Sequence, residues 1–279
     1  MIGTLHAAPP TTRLWGRLRW AVADCMTIVG REISHLRRAP GVLVGALVFP
    51  AVMVVMFGYV FGSAIGVPGG GNYREYLMPG LFAMTTVTSV MVTAMRVATD
   101  ASKGVMDRFR SMPMARLAMP FGMTGADIIA GALAMAIMVG CGYVVGWRPH
   151  NGPAAALGAF GLLALLRYAV TWVGMFAGLA ARDEQAVDQW VPIVFPVTMI
   201  SNAFVPTSGM PAWLRVVAEW NPVSVAVAAS RQLFGNPGAA VGQTAWPLEH
   251  AVIATLLWSL LLLAVFVPMS VWRYRTANP

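Results

Sequence analysis

The chain has 279 residues, of which 58% are hydrophobic and only 11% charged, and its net charge is +8. A soluble domain carries about 25% charged residues, so this composition excludes an ordinary water-exposed globular protein. Several apolar windows of about 20 residues point instead to an all-α integral membrane protein, and the alternating pattern of a membrane β-barrel is missing. In a soluble protein the positive charge would suggest nucleic acid. Here it has a simpler source, since basic residues collect in cytoplasmic loops of membrane proteins, and no nucleic-acid partner is expected.

The N-terminal stretch Met1 to Pro10 lacks a basic start followed by an apolar core, so no cleaved signal peptide is expected. Residues 13–38 carry Leu14, Trp15, Leu18, Val22, Cys25, Met26, Val29, Ile33 and Leu36 on one helical face. Arg17, Arg31 and Arg38 lie away from that face, which predicts a helix lying on the membrane surface with arginines toward anionic headgroups. The first span is expected over residues 42–64, with Pro50 inside it, and the glycine-rich stretch Gly69-Gly70-Gly71 follows as a turn. That turn lacks the helix start and lysine that a phosphate-cradling loop needs.

The second span is expected over 77–98. Thr85, Thr86, Thr88, Ser89 and Thr93 in it can bond to carbonyls of their own helix or of a neighbour. Residues 99–120 then form the longest polar interruption in the apolar body, holding the only lysine, Lys103, with Arg108, Arg110 and Arg116. Two spans follow, over 123–147 and 154–181. The fifth apolar segment, 190–206, is short and contains Pro192 and Pro196, so it crosses comfortably only if extended or broken. Residues 207–247 predict a helical hairpin on the outer side. Trp213, Val216, Val217 and Trp220 share a face, Asn221-Pro222 reads as a cap with proline at the first helical position, and Gly235 stops the second helix. The sixth span is expected over 248–272.

Six spans place both termini on one side. The arginines of 13–38, Arg96, the 99–120 loop, Arg182, Arg273 and Arg275 share that side, whereas only Arg74, Arg148, Arg215 and Arg231 fall on the other. The positive-inside rule then puts both termini and the 99–120 loop in the cytoplasm of a multi-pass plasma-membrane protein. No internal repeat or linker divides the chain, so residues 1–279 are read as a single transmembrane domain.

Catalytic signatures are missing. No Gly-x-x-x-x-Gly-Lys-Ser/Thr, His-Glu-x-x-His or Gly-x-Ser-x-Gly occurs, so the chain is not expected to be an enzyme or to hydrolyse nucleotide by itself. His6, His35, His150 and His250 are scattered, and Cys25 and Cys141 are kept apart by topology, so neither a metal site nor a disulfide is expected. Arg167 falls near the middle of the fourth span, where a charge costs about 2.5–3.5 kcal/mol on insertion scales. Either it lines the route of a polar or anionic part of a cargo, with Asn202 as a second intramembrane polar position, or it forms a structural ion pair or snorkels to the interface. Asp127 and Glu249 are expected near span ends, within reach of the interface. A proton-coupled antiporter would want a central carboxylate, and none is evident.

Certain stretches carry a family resemblance: Arg38-x-Pro40, Phe57-Gly-Tyr-Val-Phe-Gly62, Lys103-Gly-Val-Met-Asp-Arg-Phe-Arg-Ser-Met-Pro-Met-Ala-Arg116, Asn202-Ala-Phe-Val-Pro-Thr-Ser-Gly-Met-Pro211, Trp220-Asn221-Pro222-Val223 and Arg231-Gln-Leu-Phe234. Through them the chain resembles the permease subunit of type 2 ATP-binding-cassette exporters, in the daunorubicin-resistance branch of drug-efflux permeases. Many relatives carry a Glu-Arg-Glu pattern where this chain has Asp100, Lys103 and Asp107, which fits the drug-efflux branch better than a polysaccharide exporter.

The resemblance implies a homodimer or pseudo-dimer of six-span subunits served by two copies of a separate ATPase, which would hold ATP and magnesium while this chain binds no cofactor. It implies two short helices re-entering from outside before the sixth span. It also implies a coupling helix in the first cytoplasmic loop, carried here by Asp107, Arg108, Phe109, Arg110, Ser111, Met112 and Pro113. The residues support such a contact independently, because Phe109 flanked by two arginines has the make-up of an aromatic anchor with charged rims, and Pro113 would end a short helix. The bland alternative is a solvated positive loop. The expected cargo is a hydrophobic or amphipathic small molecule such as an antibiotic or lipid-like metabolite. An ion-coupled secondary transporter, and a lipid or glycan exporter of the same family, are the alternatives.

Overall fold

A computed structural model describes residues 51–60, 67, 70–106, 118–181, 184–237 and 245–276, together with Met26, Gly30 and Val48. The predicted surface helix 13–38 with Arg17, Arg31 and Arg38, most of the flanks of the first span, and Asp107 to Pro113 lie outside the described residues. Every regular element among those described is helical.

Helix α1, Ala51–Val60, is short and apolar, and its last turn, Met56–Val60, is a π-helix. Helices α2, Tyr73–Val87, and α3, Ser89–Ser102, form one apolar stretch interrupted at Thr88. Asn72 starts α2, its side chain accepting from the Arg74 N–H at 3.0 Å. The interruption coincides with the hydroxyl cluster that the sequence singled out. Thr85 and Thr86 both donate to the Phe82 carbonyl at 2.9 Å, and Ser89 donates to the Thr86 carbonyl at 2.7 Å. Side chains that return to the backbone in this way compete with the helical ladder and bend it.

Helices α4, Ala118–Val145, and α5, Gly152–Ala180, follow, then the short α6, Glu184–Asp188, and α7, Val191–Met199. A 3-10 turn over Thr207–Gly209 leads to α8, Ala212–Trp220, and α9, Pro222–Phe234. The short α10, Trp246–Glu249, and the long α11, Ala251–Thr276, complete the described chain. Four helical stretches among the described residues are long and apolar enough to cross a membrane: Tyr73–Ser102, Met119–Val145, Gly152–Ala180 and Ala251–Thr276. They outrun the predicted 77–98, 123–147 and 248–272 at one or both ends, because a helix carries its polar ends along while a hydropathy window stops at them.

The fifth apolar segment is broken, as its prolines suggested: α7 is a nine-residue helix, and the chain from Ile200 to Pro206 is not helical. The Asn221 cap holds, its side chain accepting from the Val223 N–H at 2.8 Å, with Pro222 at the first helical position. Gly235 ends α9 with φ 71°, a left-handed value that costs glycine little. Trp213, Val216, Val217 and Trp220 all stand exposed along α8.

Helix α5 is the hub, packing against α2, α3, α4, α9 and α11. Its contact with α3 is made backbone to backbone. A Cβ at Gly174 would come within 2.5 Å of the Val90 carbonyl oxygen, and one at Gly178 within 2.5 Å of that of Ala94. Small residues at such crossings allow the close packing by which helices associate in a membrane. One core cluster gathers Phe82, Trp147 and Phe234, whose rings meet edge to face at 5.0–6.0 Å. Trp147 also donates from Nε1 to Asn236 Oδ1 at 2.8 Å, which ties the end of α4 to the end of α9. A second cluster, holding Met106, Met119, Met123, Trp172, Met175 and Tyr274, lies where α3, α4, α5 and α11 meet.

Candidate functional site

The loop on which the sequence reading centred is described only at its margins. Helix α3 ends at Ser102, and Gly104 turns the chain with φ 64°. Met106 on one margin and Met119 on the other are both buried in the second core cluster. The two margins therefore meet in one packed cluster, next to Trp172 of α5 and Tyr274 of α11.

The first polar node lies deeper. Asp127 is 3% exposed. It faces Arg167 of α5: Arg167 Nη2 donates to Asp127 Oδ1 at 3.1 Å, and Nε lies 3.1 Å from Oδ2. Nε also donates to the Asp127 carbonyl oxygen at 3.3 Å. Thr171, one turn beyond Arg167, donates to Asp127 Oδ2 at 2.8 Å. The guanidinium reaches a third span as well, through Nη1 to the Thr85 carbonyl at 3.5 Å, the limit of hydrogen bonding. Gly131, one turn beyond Asp127, makes the room, because a Cβ there would overlap the Arg167 guanidinium.

Arg167 thus forms an ion pair, as one of its two readings expects, and Asp127, expected within reach of the interface, is buried against Arg167 about 13 Å along α4 at about 1.5 Å per residue. Glu249, by contrast, is exposed on α10.

The second polar node surrounds the non-helical segment after α7. Backbone without helical bonds is tolerated at membrane depth only where the protein supplies partners, and here it does so with side chains. Arg231 of α9, 1% exposed, donates from Nη2 to the carbonyls of Asn202 at 3.0 Å and Ala203 at 3.2 Å. Its Nε and Nη2 both donate to the Tyr76 carbonyl, at 3.1 and 3.0 Å, and its Cζ stands 3.5 Å above the Tyr76 ring. The Tyr73 hydroxyl donates to the Phe204 carbonyl at 2.9 Å and the Tyr76 hydroxyl to the Asn202 carbonyl at 3.2 Å. Asn221 Nδ2 donates to the carbonyls of Val197 at 2.6 Å and Ile200 at 2.7 Å. Gly80 of α2 lies against this segment, where a Cβ would collide with the Ala203 carbonyl oxygen.

Asn202, the second predicted polar position, is thus held through its backbone, and its buried side-chain Oδ1 has no hydrogen-bond partner among the described residues. The two predicted positions belong to separate nodes, Arg167 to the first and Asn202 to the second. Arg231 was missed as an organising residue and counted as an outer-side charge. Its only sequence signal was a basic residue on the Val-Ala-Val-Ala-Ala-Ser run of α9. In the second node a guanidinium occupies the place where carbonyls exposed by a broken helix would otherwise meet a metal ion or water. Among the described residues no group of three or more His, Cys, Asp or Glu side chains could hold a metal.

Residues 23–234 match the family model described as ABC-2 type transporter. The daunorubicin resistance ABC transporter permease protein DrrB1 of Streptomyces coeruleorubidus is 30% identical over 260 residues, covering 92% of this chain and 88% of the relative. The doxorubicin resistance ABC transporter permease protein DrrB of Mycobacterium tuberculosis is 25% identical, covering 74% of this chain and 71% of its own. A probable doxorubicin resistance ABC transporter permease protein, DrrC, of the same organism is 24% identical over 93% of this chain and 91% of its own.

Proposed function

The chain belongs to the ABC-2 type transporter family, and from that premise we propose that it is the membrane permease of a drug-efflux exporter, driven by a separate ATPase subunit. The observation that carries this reading is the similarity to a daunorubicin-resistance permease over 92% of this chain. The cargo is a hydrophobic or amphipathic small molecule of the kind named for the relatives. Two copies of the chain, each with six spans, pair into a homodimer that engages two ATPase subunits holding ATP and magnesium. Both termini and the 99–120 loop face the cytoplasm, with Asp107 to Pro113 as the contact for the ATPase. The chain is read as one domain, with the surface helix 13–38 on the cytoplasmic leaflet and α8 and α9 as the outer helical pair. Asn202 marks the level at which a polar part of the cargo would meet polar groups of the chain, whereas Arg167 is taken up by its ion pair with Asp127.

The buried margins of the loop support this arrangement, because Met106 and Met119 feed one point of the membrane body. A second reading, an ion-coupled secondary transporter, gains the central carboxylate Asp127. That carboxylate is already committed to Arg167 and Thr171, and no group of three or more His, Cys, Asp or Glu includes it among the described residues, so the ATP-driven reading is preferred.

Copurification tests it. The permease, expressed with a candidate ABC ATPase, should draw that ATPase into the membrane and retain it in detergent. ATPase activity of the pair should rise when doxorubicin is added. A permease that binds no ATPase yet accumulates doxorubicin against a gradient by itself would overturn the proposal.

A further inference from the structure

The Asp127–Arg167–Thr171 node is costly to keep in a membrane. Replacing a buried ion pair with apolar residues of similar volume is often neutral or stabilising, so stability alone gives little reason for it. Its placement gives a better one. Helix α3 is fastened to α5 along the glycines Gly174 and Gly178, where side chains would collide with the α3 backbone. On helix α4, the other arm of the cytoplasmic loop, Gly131, Gly140 and Gly142 make no such approach to the α5 backbone. Gly131, its close approach, is opened toward the Arg167 guanidinium rather than toward the α5 backbone. The named polar tie from α4 to α5 is the Asp127 carboxylate, gripped on one edge by the guanidinium and on the other by the Thr171 hydroxyl.

Arg167 also reaches the Thr85 carbonyl, three residues before the α2–α3 interruption at Thr88. One side chain in the middle of the hub helix therefore touches both arms of the loop: α4 directly, and the α2–α3 stretch at its break. The glycine seam is tight and passes on sliding of α3. The ion pair is directional, and it fixes the rotation and depth of α4 relative to α5. Either joint alone would let the other arm move without turning the hub.

We propose that Arg167, held by Asp127 and Thr171, is a positioning residue of the transport cycle, the joint through which movement of the 99–120 loop is passed from α4 to α5 in mid-membrane. This rests on the ATP-driven reading above. Loss of the joint leaves the loop and its ATPase contact intact, so the ATPase keeps running while the membrane body fails to follow. A purely structural pair would behave differently: its loss would lower the folded yield and the unfolding temperature, and every folded molecule would still move cargo normally for each ATP.

The readout is therefore doxorubicin transported per ATP hydrolysed, in proteoliposomes carrying the permease with its ATPase. Asp127→Asn and Arg167→Gln should hydrolyse ATP near the parent rate and transport at least about tenfold less per ATP, a factor equivalent to about 1.4 kcal/mol of coupling. Thr171→Val, which removes one hydroxyl and keeps the shape, should lower the same ratio several-fold with normal yield. A parent-like ratio in Arg167→Gln, with only the unfolding temperature reduced, would overturn the joint. Should the two charge variants not fold, Thr171→Val decides alone, and a parent-like ratio there overturns it equally. Absence of ATP-dependent transport in the unsubstituted protein would remove the ATP-driven reading itself, and the joint with it.

Discussion

Arg231→Ala is expected to be the most damaging single substitution in the described membrane body. It strips a fully buried guanidinium from the carbonyls of Tyr76, Asn202 and Ala203 and leaves a cavity beneath the Tyr76 ring. A hydrogen bond from a charged group contributes about 1.5–3 kcal/mol; the Asn202 carbonyl keeps the Tyr76 hydroxyl, and loss of the guanidinium from the Tyr76 and Ala203 carbonyls makes a loss of about 3 kcal/mol expected, enough to unfold much of a marginally stable protein. Thermal unfolding in detergent measures it. Arg231→Lys should recover only part of the loss, because an ammonium keeps the charge without the planar fork that spans two backbone segments. Parent-like unfolding of Arg231→Ala would show that the segment from Ile200 to Pro206 is held by other contacts.

The second large effect is expected at the cytoplasmic loop. Phe109→Ala combined with Arg110→Ala should separate transport from ATP hydrolysis while membrane insertion and yield stay normal, because hot spots of an interface are aromatic and arginine anchors. A loss of transport of at least about a hundredfold corresponds to removing two such anchors at about 1.4 kcal/mol or more each. Copurification of the ATPase should fall in parallel. Full transport by this variant at normal expression would show that residues 107–113 are only a solvated positive loop. The expected damage differs in kind from that at Arg167, which should leave the ATPase bound.

The parts of this architecture that are local were legible in the sequence. Asn221-Pro222 and Gly235 bound α9 where their side-chain chemistry says they should, since a cap is decided within three or four residues. Pro192 and Pro196 gave away the broken fifth segment for the same reason. The hydroxyl run from Thr85 to Ser89 announced back-bonding, though not that the helix would be interrupted at Thr88. The two polar nodes were less visible because their partners are distant in sequence. Asp127 and Arg167 are 40 residues apart, and Arg231 and Tyr76 are 155 apart. A hydropathy window sees each charge alone and assigns it to the nearest end of a span. On that logic Asp127 falls near the interface, and nothing in it foretells that Asp127 and Arg231 are buried among partners. What a window cannot weigh is that a glycine such as Gly131 on the neighbouring turn has opened a place for the opposing side chain.

The two nodes also sort the competing mechanisms. An ion-coupled transporter would need a carboxylate or a set of broken-helix carbonyls open to an external cation. Here the carboxylate is paired with Arg167, and the carbonyls of Tyr76, Asn202 and Ala203 are met by Arg231. Charges supplied by the chain itself fill both places, which suits a protein whose energy arrives from a partner through the loop between α3 and α4.

The central claim is that this permease moves cargo only when a separate ATPase drives it. Uptake of doxorubicin into inside-out proteoliposomes, with the permease alone and with its ATPase, tests that most directly. Accumulation is expected only with both proteins, ATP and magnesium present, and should be unaffected by collapsing proton and sodium gradients. Accumulation by the permease alone, abolished when those gradients are collapsed, would contradict the account.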